Sequence, residues 1–179
     1  YPVPDDCWGD YIFRLRNDVR RVSMETTTDV RIRWLIRRDM ADVLRIEQEC
    51  FDRPWAEDDF LSCLRQRNCI GMVAEHEQRI VGFMLYELHR SKFNLLNFAV
   101  ETESRRSQVG TQMVSKLVGK LSQERRHVIE TKVRETNLAA QLFFKSQGFE
   151  ATSVERDAYD DSDEAAYVMR YTINEEQRW

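Results

Sequence analysis

From residue 30 onward the apolar positions switch repeatedly between a two-residue and a helical period. Residues 30–36 (VRIRWLI) alternate as a strand does. Residues 38–50 place Met40, Val43, Leu44 and Ile46 on one helical stripe, with Asp39 as the expected N-cap. Pro54 and Trp55 are expected to open a second helix over 55–67, whose first turn holds Glu57, Asp58 and Asp59, where the helix dipole favours anions. Residues 69–76 (CIGMVAEH) and 80–89 (IVGFMLYELH) read as strands joined by a turn at 76–79, and 94–100 (NLLNFAV) as a buried strand. A helix follows over 108–122, with Met113, Val114, Leu117, Val118 and Leu121 on one face. Then come a strand at 127–134 and a helix at 137–147, capped by Asn137 and stopped by Gly148. A strand pair at 149–155 and 165–172 closes the pattern. This order predicts an α/β (α+β) domain with a mixed central sheet and helices on both faces.

Residues 1–28 carry two prolines and scattered aromatics without a period and read as an N-terminal extension. The folded domain is expected over 29–174, with a short tail at 175–179. A chain of 179 residues suffices for one well-buried domain. The 42% apolar and 32% charged composition is that of a globular protein, and a net charge of −4 argues against a nucleic-acid binder. No apolar run approaches the ~20 residues that span a bilayer, so no membrane role is expected. Cys7, Cys50, Cys63 and Cys69 show no metal-ligand spacing and accompany only three histidines. They read as reduced thiols of a cytoplasmic protein with no metal. The positive charge is nearly all arginine, whose fork suits phosphate and carboxylate.

The segment 97–149 carries the chemistry. A loop, Arg105-Arg106-Ser107-Gln108-Val109-Gly110, feeds a helix whose free N–H groups and dipole make an anion site. With the preceding NFAV (97–100), ETNLAAQLFFKSQGF (135–149), CFDRPWAEDDF (50–60) and AAYVMRY (165–171), all in order, it resembles the acyl-CoA core of the GNAT N-acetyltransferases. It is most similar to the ribosomal-protein alanine N-acetyltransferases of the RimI type. The resemblance covers about 30–173.

That resemblance implies a GNAT fold with a mostly antiparallel sheet and acetyl-CoA as the acetyl donor. The pyrophosphate would lie on Arg105, Arg106, Gln108, Val109, Gly110 and Thr111. The pantetheine would run along Phe98, Ala99 and Val100, beside Asn137 and Phe144. In the family pattern Gln/Arg-x-x-Gly-x-Gly/Ala, Arg105 and Gly110 match, but Gln108 replaces the first glycine. The implied acceptor is a protein N-terminus, that of a ribosomal protein, received near Trp55, Glu57 and Asp160. The oligomeric state is left open.

The departures fall on the reaction itself. Lys132 stands where RimI-type enzymes carry a glutamate base, and Phe144 where they carry a tyrosine acid. Glu130, on the same strand face as Lys132, is the remaining carboxylate able to act through water, or else a partner of Lys132. Tyr159 is the remaining hydroxyl, and Glu130, Tyr159 and Lys132 are the catalytic candidates. A weak base suits an α-amine, roughly a tenth to a sixth neutral at pH 7, far better than a lysine ε-amine, neutral to about one part in a few thousand. Two other functions fit the same departures: a catalytically weak CoA-binding module, and an acetyltransferase for a small amine.

Overall fold

The alternating segments pair into one seven-stranded sheet in a computed structural model that describes residues 27–156, 158–159 and 163–173. The strands are β1 (Arg31–Trp34), β2 (Cys69–His76), β3 (Arg79–Leu88), β4 (Lys92–Val100), β5 (Val128–Arg134), β6 (Glu150–Glu155) and β7 (Ala166–Thr172). Their order is β1-β2-β3-β4-β5-β7-β6. Only β4 and β5 run parallel, as the intervening helix requires. The expected N-terminal extension falls almost wholly outside the described residues, and the C-terminal tail entirely so.

Helices α1 (Met40–Cys50) and α2 (Glu57–Leu64) cover one face; α3 (Val109–Val118) and α4 (Leu138–Ser146) cover the other. Strand alternation feeds both cores. Val81 and Tyr86 of β3 pack with Met113 and Leu117 of α3, whereas Ile80, Phe83 and Leu85 pack with Val43 and Ile46 of α1 and Phe60 of α2. The β2–β3 turn uses two left-handed residues, Glu77 (φ 47°) and Gln78 (φ 66°), the conformation whose twist suits a two-residue hairpin.

Three local expectations are corrected. Pro54 and Trp55 precede α2 rather than open it. Ala56 is extended at the N-cap, and its N–H donates to Asp59 Oδ2 (2.8 Å), which starts the helix at Glu57. Asp39 occupies the N-cap of α1 without capping it. Its carboxylate takes the Arg33 guanidinium and the Ile36 N–H (3.0 Å), and the Arg33 hydrogen bond holds its carboxyl below the usual range against the opposing effect of burial. The four cysteines are not all free thiols: Cys63 of α2 and Cys69 of β2 form a disulfide, with Cα atoms 6.0 Å apart.

Two irregularities on β4 create the cleft. Its ladder with β5 runs only from Lys92↔Val128 to Leu95↔Thr131, although both strands continue. Thr131 Oγ1 fastens that last pair by donating to Leu95 O (3.1 Å). Against β3, the register jumps from Tyr86↔Leu95 to Leu85↔Asn97, leaving Leu96 as a bulge. Leu95 therefore faces the α3/α4 core, while Leu96 and Ala99 face the α1/α2 core.

Candidate active site

The loop between β4 and α3 is held from beneath by a buried carboxylate. Glu101 accepts from Arg45 (3.1 Å), Arg79 (3.3 Å) and Ser104 Oγ (2.9 Å). Arg106 (φ 60°) and Gln108 (φ 65°) both lie in the left-handed region. That explains the family preference for glycine at the position of Gln108: an L side chain there costs about 1–2 kcal/mol. Gln108 is the N-cap of α3 but its side chain does not cap the helix, so it leaves the first-turn amides of Val109, Gly110 and Thr111 uncovered. Thr28 N donates to Ser107 O (3.0 Å) and Gln112 Nε2 to Thr28 O (2.6 Å), which lays the chain preceding β1 against this loop. Arg105 is exposed, its guanidinium on Val100 O (3.2 Å) and Cys50 Sγ (3.2 Å).

Phe98, Ala99 and Val100 form the end of β4 that pairs with β3 but has no β5 partner, and Val100 O is taken by Arg105 and Cys50. Phe143 of α4, passed over in the sequence, stacks on Phe98 (5.6 Å between centroids, 22° between planes). A Cβ on Gly110 would meet the same ring at 3.0 Å. The close approach of Phe143 thus favours glycine at this position. Phe144 is buried among Phe98, Phe143 and Phe149 and carries no hydroxyl. Asn137 caps α4, its Oδ1 accepting from Ala140 N (3.0 Å). The uncapped amides of α3, the β4 backbone left without a β5 partner and this aromatic wall together offer an anionic group, an amide arm and an apolar stem their complements, the features of an acyl-CoA.

The reaction end departs from expectation. Glu130 lies on the paired side of the β4/β5 fork, opposite Asn94. It accepts from Lys92 and from Arg170 (2.8 Å), not from Lys132. Burial pushes its carboxyl up, but the two cations outweigh this and hold it below the usual range, which makes it a poor proton acceptor. As a base Glu130 would have to act from within these two ion pairs. Lys132 lies just beyond the fork, about half exposed, in an ion pair with Glu155 (2.6 Å). Tyr159 lies under the Arg134 guanidinium (3.8 Å to the ring centroid), and Arg134 pairs with Glu164 (3.0 Å), which sets this tyrosine beside the end of β5, beyond the last β4/β5 pair at Thr131. Asp160 lies outside the described residues. Glu57 is exposed in the first turn of α2, and Trp55 sits half-buried, edge-on to Phe60 (5.4 Å).

Two buried carboxylates, Glu101 and Glu47, escaped the sequence reading. Glu47 of α1 is 1% exposed and accepts from Trp55 N (2.9 Å) and Asn97 Nδ2 (3.0 Å). Burial pushes its carboxyl up against the opposing effect of those two donors. Its signal was present: Met40, Val43 and Glu47 fall on the core-facing stripe of the helix, where an acid is out of place. Among the described residues no group of three or more metal-ligating side chains forms, and no helix is long and apolar enough to cross a membrane.

Known proteins agree with this geometry. The ribosomal protein bS18-alanine N-acetyltransferase of Escherichia coli (strain K12) is 25% identical over 138 residues, 76% of this chain and 93% of that protein. The crystal structure of Ard1 from Thermoplasma volcanium superimposes with a TM-score of 0.73 at 26% identity, covering 82% of this chain and 99% of that one. The crystal structure of the E. coli ribosomal-protein-S18-alanine N-acetyltransferase gives 0.72 at 22% identity, covering 84% and 99%. The acetyltransferase (GNAT) family model matches residues 39–149, which run from the start of α1 through the anion loop to the end of α4. The chain belongs to that family, and it is an acetyl-CoA-dependent N-acetyltransferase.

Proposed function

We propose that the acceptor is the N-terminal α-amine of a protein, and that a ribosomal protein supplies it. The observation that carries this reading is the reaction end. Three carboxylates beside β5 are engaged by cations: Glu130 by Lys92 and Arg170, Glu155 by Lys132, Glu164 by Arg134. A site whose nearby carboxylates are engaged in this way suits an amine that arrives partly neutral, as an α-amine with a pKa of about 7.7–8.0 does. The E. coli relative is named for the same kind of acceptor.

Acetyl-CoA brings the acetyl thioester. The amides of Val109, Gly110 and Thr111 hold its pyrophosphate, with Arg105 and Arg106 beside them and Asn137 at the mouth of α4. The β4 backbone at 98–100 holds its arm, and the ring of Phe143 shields it from water. The neutral amine attacks the thioester carbonyl; the C–N bond forms, the C–S bond breaks, and the thiolate leaves. The amine proton passes to water, and Tyr159, beside Arg134 at the end of β5, is the candidate hydroxyl. Holding both reactants together supplies much of the acceleration.

Mass spectrometry of peptides incubated with the protein and acetyl-CoA tests this, starting with Ala-initiated peptides of ribosomal type that also contain internal lysines. Acetylation is expected on the α-amine, favoured over the ε-amine by on the order of a hundredfold, as the neutral fractions dictate. Modification chiefly of internal lysines rejects the reading. Turnover of small amines alone would move the acceptor to that class.

A further inference from the structure

Three carboxylates are buried among the described residues: Asp39, Glu47 and Glu101. Asp39 has Arg33, and Glu101 has Arg45 and Arg79. Glu47 has no cation, only the Trp55 N–H and the Asn97 amide. Burying a carboxylate on neutral donors is costly, and a filler of α1 would be apolar. Asn97 adds to the cost: its Oδ1 is buried without a partner among the described residues. Turning the amide would set Oδ1 against the Glu47 carboxylate, so the charge fixes which way Asn97 faces. The arrangement spends stability to hold two groups in place.

Those two groups come from different elements on the α1/α2 face of the sheet. Trp55 lies in the link between α1 and α2, the segment that resembles the acceptor side of the family. Asn97 follows the Leu96 bulge, two residues past the point where β4 leaves β5. Glu47 joins them with one oxygen each.

We propose that Glu47 is a positioning residue for the acceptor, holding the Trp55 link against the forked edge of β4 through Asn97. This rests on the reading that the acceptor enters between that link and β5. Donor binding, carried by the amides of α3 and the β4 backbone, does not pass through Glu47.

The test compares Glu47→Ala, Glu47→Gln and Asn97→Ala with the wild-type protein. It reads acceptor kcat/KM, acetyl-CoA Kd by calorimetry and amide exchange at Trp55. Glu47→Ala is expected to lower acceptor kcat/KM by about tenfold or more, the usual worth of hydrogen bonds to a charged group. Acetyl-CoA Kd should stay within about twofold, while Trp55 exchange accelerates. Glu47→Gln should restore most of the activity, because its oxygen still takes Trp55 N–H and its NH2 donates to Asn97 once that amide turns. Asn97→Ala should produce a smaller loss of the same kind, and it decides the matter if Glu47→Ala does not fold. A folded Glu47→Ala variant with wild-type acceptor kcat/KM overturns the proposal, as does an equal loss of acetyl-CoA affinity. If the wild-type protein acetylates no peptide terminus, the acceptor reading fails separately. The Glu47 comparison then runs on whichever amine is acetylated, and unchanged Trp55 exchange still sinks it.

Discussion

The loop ahead of α3 offers the donor backbone amides, whereas the face of β5 offers the acceptor side chains already held in ion pairs. Amides at a helix start keep their polarity whatever residues surround them, so Gln108 in place of glycine leaves that polarity unchanged. A side-chain base is useful only while its proton affinity and access are right, and four salt bridges limit both on β5. The loop rests on backbone whose approach is set by packing at Gly110, and β5 on which side-chain charges meet. The difference teaches that the first should fail when the backbone is blocked, and the second should change only when a charge pairing is changed.

The largest effect that would break this contrast is at Gly110. Gly110→Asp sets a side chain against Phe143 and a negative charge beside the phosphates, and calorimetry should find acetyl-CoA binding reduced beyond about a hundredfold. Gly110→Ala combined with Phe143→Ala separates the two causes, since it relieves the ring contact without adding charge; it should recover binding. Unchanged affinity in a folded Gly110→Asp protein would remove the loop from the donor site.

A smaller effect is expected on β5. Lys132→Met should leave kcat within about threefold, because the ammonium it removes is engaged with Glu155 and lacks a role as base. Lys132→Glu alone would face Glu155, and each carboxylate would hinder ionisation of the other. Lys132→Glu with Glu155→Gln supplies an unpaired carboxylate beyond the fork and should raise turnover at neutral pH by about tenfold, near the low end of what a positioned base contributes. A loss of turnover in a well-folded Lys132→Met protein would put the lysine into the mechanism.

The smallest effects sharpen the comparison through stability. The Glu130 carboxyl is depressed in the folded state, so it adds stability above its ordinary value of 4.5 and loses that contribution as pH falls through the lower folded value. Glu130→Gln should therefore cost about 1 kcal/mol near neutrality and nothing in acid, with little change in kcat. The Glu47 carboxyl is raised, so its ionisation costs stability as pH climbs above 4.5 through the raised folded value. Glu47→Gln should give a flatter stability–pH profile. Chemical denaturation at several pH values reads both; slopes of the same sign would contradict the two environments.

The order of elements was legible in the sequence because burial enforces periodicity. The strands at 69–76 and 94–100, the face of α3 and the cap of α4 at Asn137 all follow from local pattern. Segment order and the Arg105–Gly110 loop were enough to expect the donor site. Element ends were less legible. Pro54 and Trp55 looked like a helix start, but the hydrogen bond from Ala56 N to Asp59 decided it. The disulfide between Cys63 and Cys69 had no spacing motif; packing of α2 on β2 alone brings the two together.

The sequence by itself determined the family and the donor, because these reside in residue identity along a contiguous stretch. Tertiary structure alone decided which charges meet. Glu130 and Lys132 share a strand face, yet one takes Lys92 from β4 and Arg170 from β7, and the other takes Glu155 from β6. Glu47 reaches Asn97 across fifty residues of chain because α1 lies over the bulge of β4. Ion pairing and burial depend on distances between elements, and those distances are set by the packing of the whole sheet.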